Sequence, residues 1–219
     1  MKKRVKLLTT IASLCLAVAL MAFGVYAATT AGFNVTGTVS FTAANDVYLE
    51  FVDVEYHTSS KLNVTDAADA SWVSATVTAD ESGATGWTTV DTNGAPKATV
   101  VDGTITGVTY AFKNAAGSDA AIYGYKVVLT FKVNHDMSTL KVALTDTQDD
   151  ANVNYASTAA WHPAAGEAAN FTADEMTAEF KTNDTVVVTI VCSLKDAAVS
   201  VATLEASTEI DFSRTQPQG

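Results

Sequence analysis

Residues 146–154 read DTQDDANVN and place five oxygen-bearing side chains close together: Asp146, Asp149, Asp150, Asn152 and Asn154. Hard cations such as calcium take six to eight oxygen ligands, and closely spaced Asp and Asn in a loop supply them. Asp150, Asn152 and Asn154 match the first three ligand positions of an EF-hand loop. The match then stops. Tyr155 stands where the sharp-turn Gly belongs, and Trp161 stands where the bidentate Glu belongs. The loop is therefore either a calcium site of another kind or a solvated acidic turn. No other cofactor is suggested.

Two tryptophans offer a second chemistry. Trp87 follows Gly86 beside a turn, and Trp161 precedes His162-Pro163. Exposed indole faces on a β-domain stack on sugar rings, whereas buried ones cap the ends of a core. Both readings stay open from sequence. Cys192 falls on the apolar face of TVVVTIVCSL, in step with Val188, Ile190 and Leu194, where a thiol behaves as a small hydrophobe. His57, His135 and His162 are far apart and show no metal spacing. No zinc-protease, nucleophile-elbow or phosphate-loop motif is present, so nothing marks a catalytic nucleophile and the chain reads as a non-enzyme. A triad built from distant residues would leave no such mark, and an unrecognised hydrolase is the third function class.

The elements that must carry these residues begin after a distinctive N-terminus. Lys2, Lys3, Arg4 and Lys6 form a basic head, followed by an apolar run from Leu7 to Tyr26 and the small-residue site Val25-Tyr26-Ala27. That is the anatomy of a secretory signal cut after Ala27. Leu7–Ala28 is also long enough to stay as a membrane anchor, because ~20 apolar residues span a bilayer. Cleavage leaves 192 of the 219 residues, with nine basic and 24 acidic groups and a formal charge of −15. Such a surface repels nucleic acid and anionic lipid alike. It also leaves Cys192 as the sole thiol, so no intrachain disulfide can form.

From residue 28 onward, alternation of apolar and polar residues predominates and predicts half-buried strands. Phe33, Val35, Val39 and Phe41 share a face around Gly37; Val47–Tyr56 is apolar on both faces; Trp72–Thr78 follows. Lys97–Val101 and Thr104–Lys113 read as two strands split by an Asp102-Gly103 turn. Ile122–Val133, Leu140–Leu144, Thr185–Leu194 and Ala206–Phe212 complete the set. Asp146 to about Asn170 reads as the longest connection. Thr172-Ala173-Asp174-Glu175 fits a helix capping box, while Met176, Ala178 and Phe180 alternate as in a strand. Roughly eight to ten strands with little helix predict an antiparallel β-sandwich of jelly-roll or immunoglobulin-like type, as one domain over 28–219.

Several segments together resemble a known group. They are the signal ending VYAA, the early strand GFNVTGTVSFTA, the segment TYAFKNAAGSDAAIYGYKVVLTFKV, and TNDTVVVTIVCSLKDAAVSV followed by EASTEIDFSR. The chain resembles the TasA/camelysin-like exported β-sandwich proteins of Gram-positive bacteria. The resemblance covers most of the chain in pattern and few residues in identity. It departs at Ala28-Thr29-Thr30-Ala31-Gly32, where that group commonly has an aromatic, a small residue and Asp. No metal motif matches the proteolytic activity attached to camelysin. The resemblance implies a secreted, cell-surface or biofilm-matrix structural protein that forms fibres with copies of itself. Phe33–Phe41 could then be donated to a neighbour's sheet, or it could fold back as an edge strand of its own sandwich. The rival class is an extracellular module that binds glycans or another protein, with Trp87 and Trp161 as its platform.

Overall fold

The computed structural model describes residues 33–44, 46–97, 101–114, 120–148, 150–171, 175–197 and 203–214. The predicted cut at Ala27, the 115–119 turn and the 172–174 capping residues lie outside these. Twelve strands are present: β1 Phe33–Ala43, β2 Leu49–Ser59, β3 Val73–Ser74, β4 Thr78–Asp80, β5 Val101–Phe112, β6 Gly124–Val133, β7 Met137–Gln148, β8 Val153–His162, β9 Ala169–Asn170, β10 Glu175–Phe180, β11 Thr185–Leu194 and β12 Thr203–Ser213. The described residues contain no helix. Two six-stranded sheets, ordered β10-β7-β12-β1-β5-β4 and β3-β2-β6-β11-β8-β9, pack face to face as a sandwich. β3, β4 and β9 are two or three residues long, so nine strands carry the architecture.

Period-two patterning explains the layers. On β6 the buried side chains are Tyr125, Val127, Leu129, Phe131 and Val133; on β11 they include Val186, Val188, Ile190 and Cys192. These meet Val35, Val39 and Phe41 of β1 and Ile210 and Phe212 of β12 in one cluster. Its centre is aromatic: the Phe41 ring lies 5.2 Å from Phe131 and 5.0 Å from Trp87, and Phe131 lies 4.8 Å from Phe212, all edge-on. Burying such rings contributes roughly 1.5–3 kcal/mol each, so this contact is the main tie between the sheets.

The structure corrects the expected segmentation at three places and settles a fourth that was open. Asp102-Gly103 is not a turn. β5 runs through it, and Gly103 is needed because a Cβ there would lie 2.1 Å from the Phe41 ring. The long connection holds β8. Its inward row of Val153, Tyr155, Ser157, Ala159 and Trp161 includes small and hydroxyl residues, which hides the alternation. Trp72–Thr78 splits into β3 and β4, which belong to different sheets. The segment ending at Phe180 is a strand and not a helix. One pair also departs from the antiparallel pattern: β1 runs parallel to β12, from Asn34↔Thr203 to Ala43↔Phe212.

Candidate functional site

The N-terminal strand is the first functional element the sequence singled out. β1 is neither a free arm nor an edge. It lies inside its sheet, hydrogen-bonded in parallel to β12 and antiparallel to β5. Val35, Val39, Phe41 and Ala43 are buried, while Asn34, Thr36 and Thr38 face solvent. The apolar row requires that this face lie on the core, and Gly103 lets β5 approach the Phe41 ring. A short link connects β1 to β2, which is in the opposite sheet. Two bonds fix the start of that link, Ala44 N–H to the Phe212 carbonyl at 2.9 Å and Val47 N–H to the Ala44 carbonyl at 3.1 Å.

Of the five candidate calcium ligands, the four that are described each hydrogen-bond within the fold. Asp146 Oδ2 accepts from Ser157 N–H at 2.7 Å and Ser157 Oγ–H at 2.9 Å, and Asp146 Oδ1 accepts from Thr208 Oγ1 at 2.8 Å. Asp150 Oδ1 caps its own turn by accepting from Asn152 N–H at 2.8 Å and Asn152 Nδ2 at 2.9 Å. The Asn154 amide donates to Asn63 Oδ1 at 2.8 Å and Ser193 Oγ at 3.3 Å. Asp146 and Asn154 thus serve separate partners, while Asp150 and Asn152 bond each other. Asp149 lies outside the described residues. Among those described, no group of three or more His, Cys, Asp or Glu side chains is placed to hold a metal ion.

Trp87 is a core residue, 3% exposed, and offers no face to a sugar. It closes one flank of the sandwich. The segment carrying it takes the Thr104 N–H at the Gly83 carbonyl and the Phe51 N–H at the Trp87 carbonyl, at 3.2 and 3.1 Å, so it bridges the two sheets. Trp161 is half-buried against Phe180, with ring centres 5.2 Å apart. Its indole N–H is taken by Asp184 Oδ2 at 3.0 Å. The two tryptophans therefore do not form a shared platform. Cys192 is 1% exposed, and burial pushes its thiol up to about 12, so it stays protonated and unreactive in the fold. His57 lies 3.2 Å from Glu55, and His135 packs on Tyr48.

Sequence reasoning missed two polar features. Asp184 is 2% exposed and accepts from Trp161, from Ala164 N–H at 2.9 Å and from Lys181 N–H at 2.8 Å. It pins the β10–β11 turn to the end of β8. Asn183 before it has φ of 78°, a left-handed turn position that Asn tolerates, and the Asn-Asp pair was the available signal. The second feature is a chain of hydroxyls at the other flank. Tyr155 Oη lies 3.0 Å from Thr208 Oγ1, which donates to Asp146, which in turn holds Ser157. Burial raises the Tyr155 phenol, so it remains neutral and available as a donor. Only the fold brings these four residues together, since they come from three strands.

Among the described residues that second flank is open. β10 covers β7 over Met137–Lys141 alone, and β9 pairs with β8 at Ala160 and Trp161 alone. Between the uncovered halves of β7 and β8 lies a cavity of about 540 Å³, with Val142, Leu144, Ala159 and Phe171 among its walls. Its surroundings include hydroxyl and amide groups and Asp66, without a general acid–base pair.

No protein-family model matches the chain, and no curated protein matches it. A solved structure that does match is the full-length major pilin SpaD from Corynebacterium diphtheriae, at 8% identity and a TM-score of 0.20. The match covers 82% of this chain and 66% of the pilin chain, just under two thirds of that protein. A superposition that loose carries no argument about fold or role.

Proposed function

We propose that the chain is an exported structural protein of the cell surface or extracellular matrix, without catalytic activity, which assembles with copies of itself by exchanging β1. The observation that supports this is the placement of β1. It is the first described strand, it fills an interior slot between β5 and β12, and the expected cut after Ala27 would leave it joined to the fold at its C-terminal end alone. A slot that binds its own strand through two hydrogen-bonded ladders and a row of buried apolar side chains binds the same strand from a neighbour equally well. The contacts are identical, so exchange costs no interaction, and the 44–48 link need only extend for β1 to cross to the next molecule. Reciprocal exchange closes as a dimer, whereas head-to-tail exchange whose rotation does not close gives a fibre, and the proposal is the second.

The test uses the chain from Ala28 onward, which keeps every described strand, viewed by electron microscopy over a concentration series. Fibres are expected. Deleting Ala28–Phe41 is expected to abolish them. Because that deletion also empties the slot, a second variant decides the matter: Thr38→Cys with Ser207→Cys. These positions are directly paired and solvent-facing, and paired strand positions suit disulfide geometry. Oxidation of the monomer, before assembly, locks β1 into its own molecule. Oxidised monomers that form no fibres until they are reduced support exchange. Fibres that form from the locked chain, or a chain that stays monomeric at every concentration, overturn it.

A further inference from the structure

Two dipeptides in the chain set a side-chain carbonyl carbon next to an unhindered glycine nitrogen: Asn93-Gly94, the one pair of its kind among ten asparagines, and Asp102-Gly103. Glycine has no side chain to shield its nitrogen and turns more freely than any other residue. Such a nitrogen can close on the preceding side-chain carbonyl to form a five-membered imide. Sequence does not separate the two sites, but the fold does.

Asp102-Gly103 lies inside β5. Its residues pair with Thr42 and Phe41 of β1, and Gly103 is buried against the Phe41 ring. Ring closure there would pull the linking peptide out of the ladder and β5 out of its sheet. Asn93-Gly94 lies at the tip of a turn whose residues 91–96 are all exposed. The base of the turn is fixed: Asp91 N–H donates to the Ala95 carbonyl at 2.8 Å and Lys97 N–H to the Thr89 carbonyl at 2.9 Å. The tip is not confined. A Cβ built on Gly94 would meet nothing within 4 Å, and its φ of 79° is one that glycine adopts without strain. The Gly94 N–H does meet the Asp91 carbonyl, at 3.1 Å. An exposed hydrogen bond of this kind slows closure by roughly tenfold at most.

We propose that Asn93 is a site of spontaneous modification that the folded chain leaves open. The Gly94 nitrogen bonds to Asn93 Cγ, the Cγ–Nδ2 bond breaks, and the Gly94 proton leaves with the amide as ammonia. Water then opens the imide at either carbonyl and yields aspartate or isoaspartate. No oxidant or enzyme enters the balance. Either product adds a negative charge beside Asp91, and isoaspartate also adds one carbon to the backbone. Asp91 Oδ1 accepts from Asn93 N–H at 2.7 Å and from Ala95 N–H at 3.0 Å, and a lengthened tip cannot keep both. The tip therefore loosens, while the base holds together with the Thr89 hydroxyl, which takes the Leu49 N–H at 2.8 Å. The inference does not rest on β1 exchange.

The experiment incubates the chain from Ala28 onward in mildly alkaline buffer, which favours loss of the Gly94 N–H proton. Anion exchange, peptide mass spectrometry and methyl transfer by an isoaspartate methyltransferase follow the products. In the native chain, conversion at Asn93 is expected to run at least several-fold faster than at any other asparagine, with isoaspartate at position 93 and none at position 102. In urea both dipeptides are expected to yield isoaspartate, because no ladder then holds Gly103. Asn93→Gln, whose longer side chain would have to close a six-membered ring, is expected to remove the native signal. Native Asn93 left intact while the urea-unfolded chain converts it, or native isoaspartate at position 102 appearing as fast as at 93, overturns the proposal.

Discussion

Asp184→Ala is the sharpest test of how this fold holds its open end. The carboxylate is 2% exposed and accepts from two backbone N–H groups and the Trp161 indole, at 2.8, 2.9 and 3.0 Å. Hydrogen bonds to a charged group are worth about 1.5–3 kcal/mol each, and a donor left dry costs about 1–3 kcal/mol. Lys181 and Ala164 are exposed residues, so water can reach their N–H groups after truncation, which places each loss at the low end of that range. The indole is half-buried and recovers less. The sum is about 3 kcal/mol, a large part of the ~5–15 kcal/mol stability of a typical domain. Asp184→Asn keeps one acceptor oxygen but turns an amide N–H₂ toward a donor, so about half that loss is expected. Urea unfolding checks both: the midpoint should fall with the slope unchanged, and the thermal midpoint should drop by roughly 6–12 °C for Asp184→Ala. Trp161 emission should shift in the native state, because its N–H partner is gone. A change within about 0.5 kcal/mol for Asp184→Ala, or no difference between the Ala and Asn variants, would refute the reasoning that the carboxylate is a dry, triply used acceptor.

Other perturbations test the core and the loops. Gly103→Ala places a methyl where Phe41 already sits, 2.1 Å away, so a loss of about 1–3 kcal/mol is expected from overpacking, read by urea unfolding; a neutral result would mean that β1 does not press on β5 there. Cys192 should resist alkylation in the native chain and react promptly once unfolded, since burial holds the thiol protonated with a pKa of about 12; rapid native labelling would contradict its place in the core. Asp69, Asp80 and Asp136 all titrate below the ordinary carboxylate range, Asp69 at about 2, chiefly through the Lys61 contact and Ser71, and the other two through Ser82 and Thr182. A folded value below the unfolded one of about 3.9 contributes stability above that pH and loses it as pH falls. Thermal midpoints should therefore decline between about pH 4 and pH 2, and Asp69→Asn should flatten part of that decline; a profile identical to wild type would argue against the Lys61–Asp69 contact.

Much of the fold was legible because a half-buried strand must alternate. TVVVTIVCSL and YKVVLTFKV can satisfy their apolar residues only as strands, and they became β11 and β6 with the predicted faces inward. β8 was illegible for the converse reason. VNYASTAAWH carries its inward row on Tyr, Ser and Ala as well as Val and Trp, so hydropathy alone cannot separate its faces. Gly103 misled because Asp-Gly signals a turn through local backbone freedom, while the glycine here answers to a ring 62 positions earlier in the chain. The oxygen cluster at 146–154 was open to two readings from spacing alone, an ion site or a solvated turn, because only the fold shows Asp146 bonded to Ser157 and Thr208 and Asp150 to Asn152.

What the sequence determined by itself was local: where strands form, which side of each is apolar, that Cys192 cannot pair within the chain from Ala28 onward, and that the chain is acidic. Those properties follow from side-chain type and a two-residue period, which neighbours along the chain suffice to define. What only the tertiary structure decided was which strands lie beside which. It put β1 inside its sheet, parallel to the last strand, instead of at an edge. It made Asp146 the acceptor of the Ser157 N–H, and among the described residues it left part of the β8 edge uncovered while a tryptophan closed the opposite flank. Such outcomes depend on long-range pairing, where each contact is set by the competition among all strands for burial, and no short stretch of chain carries that information.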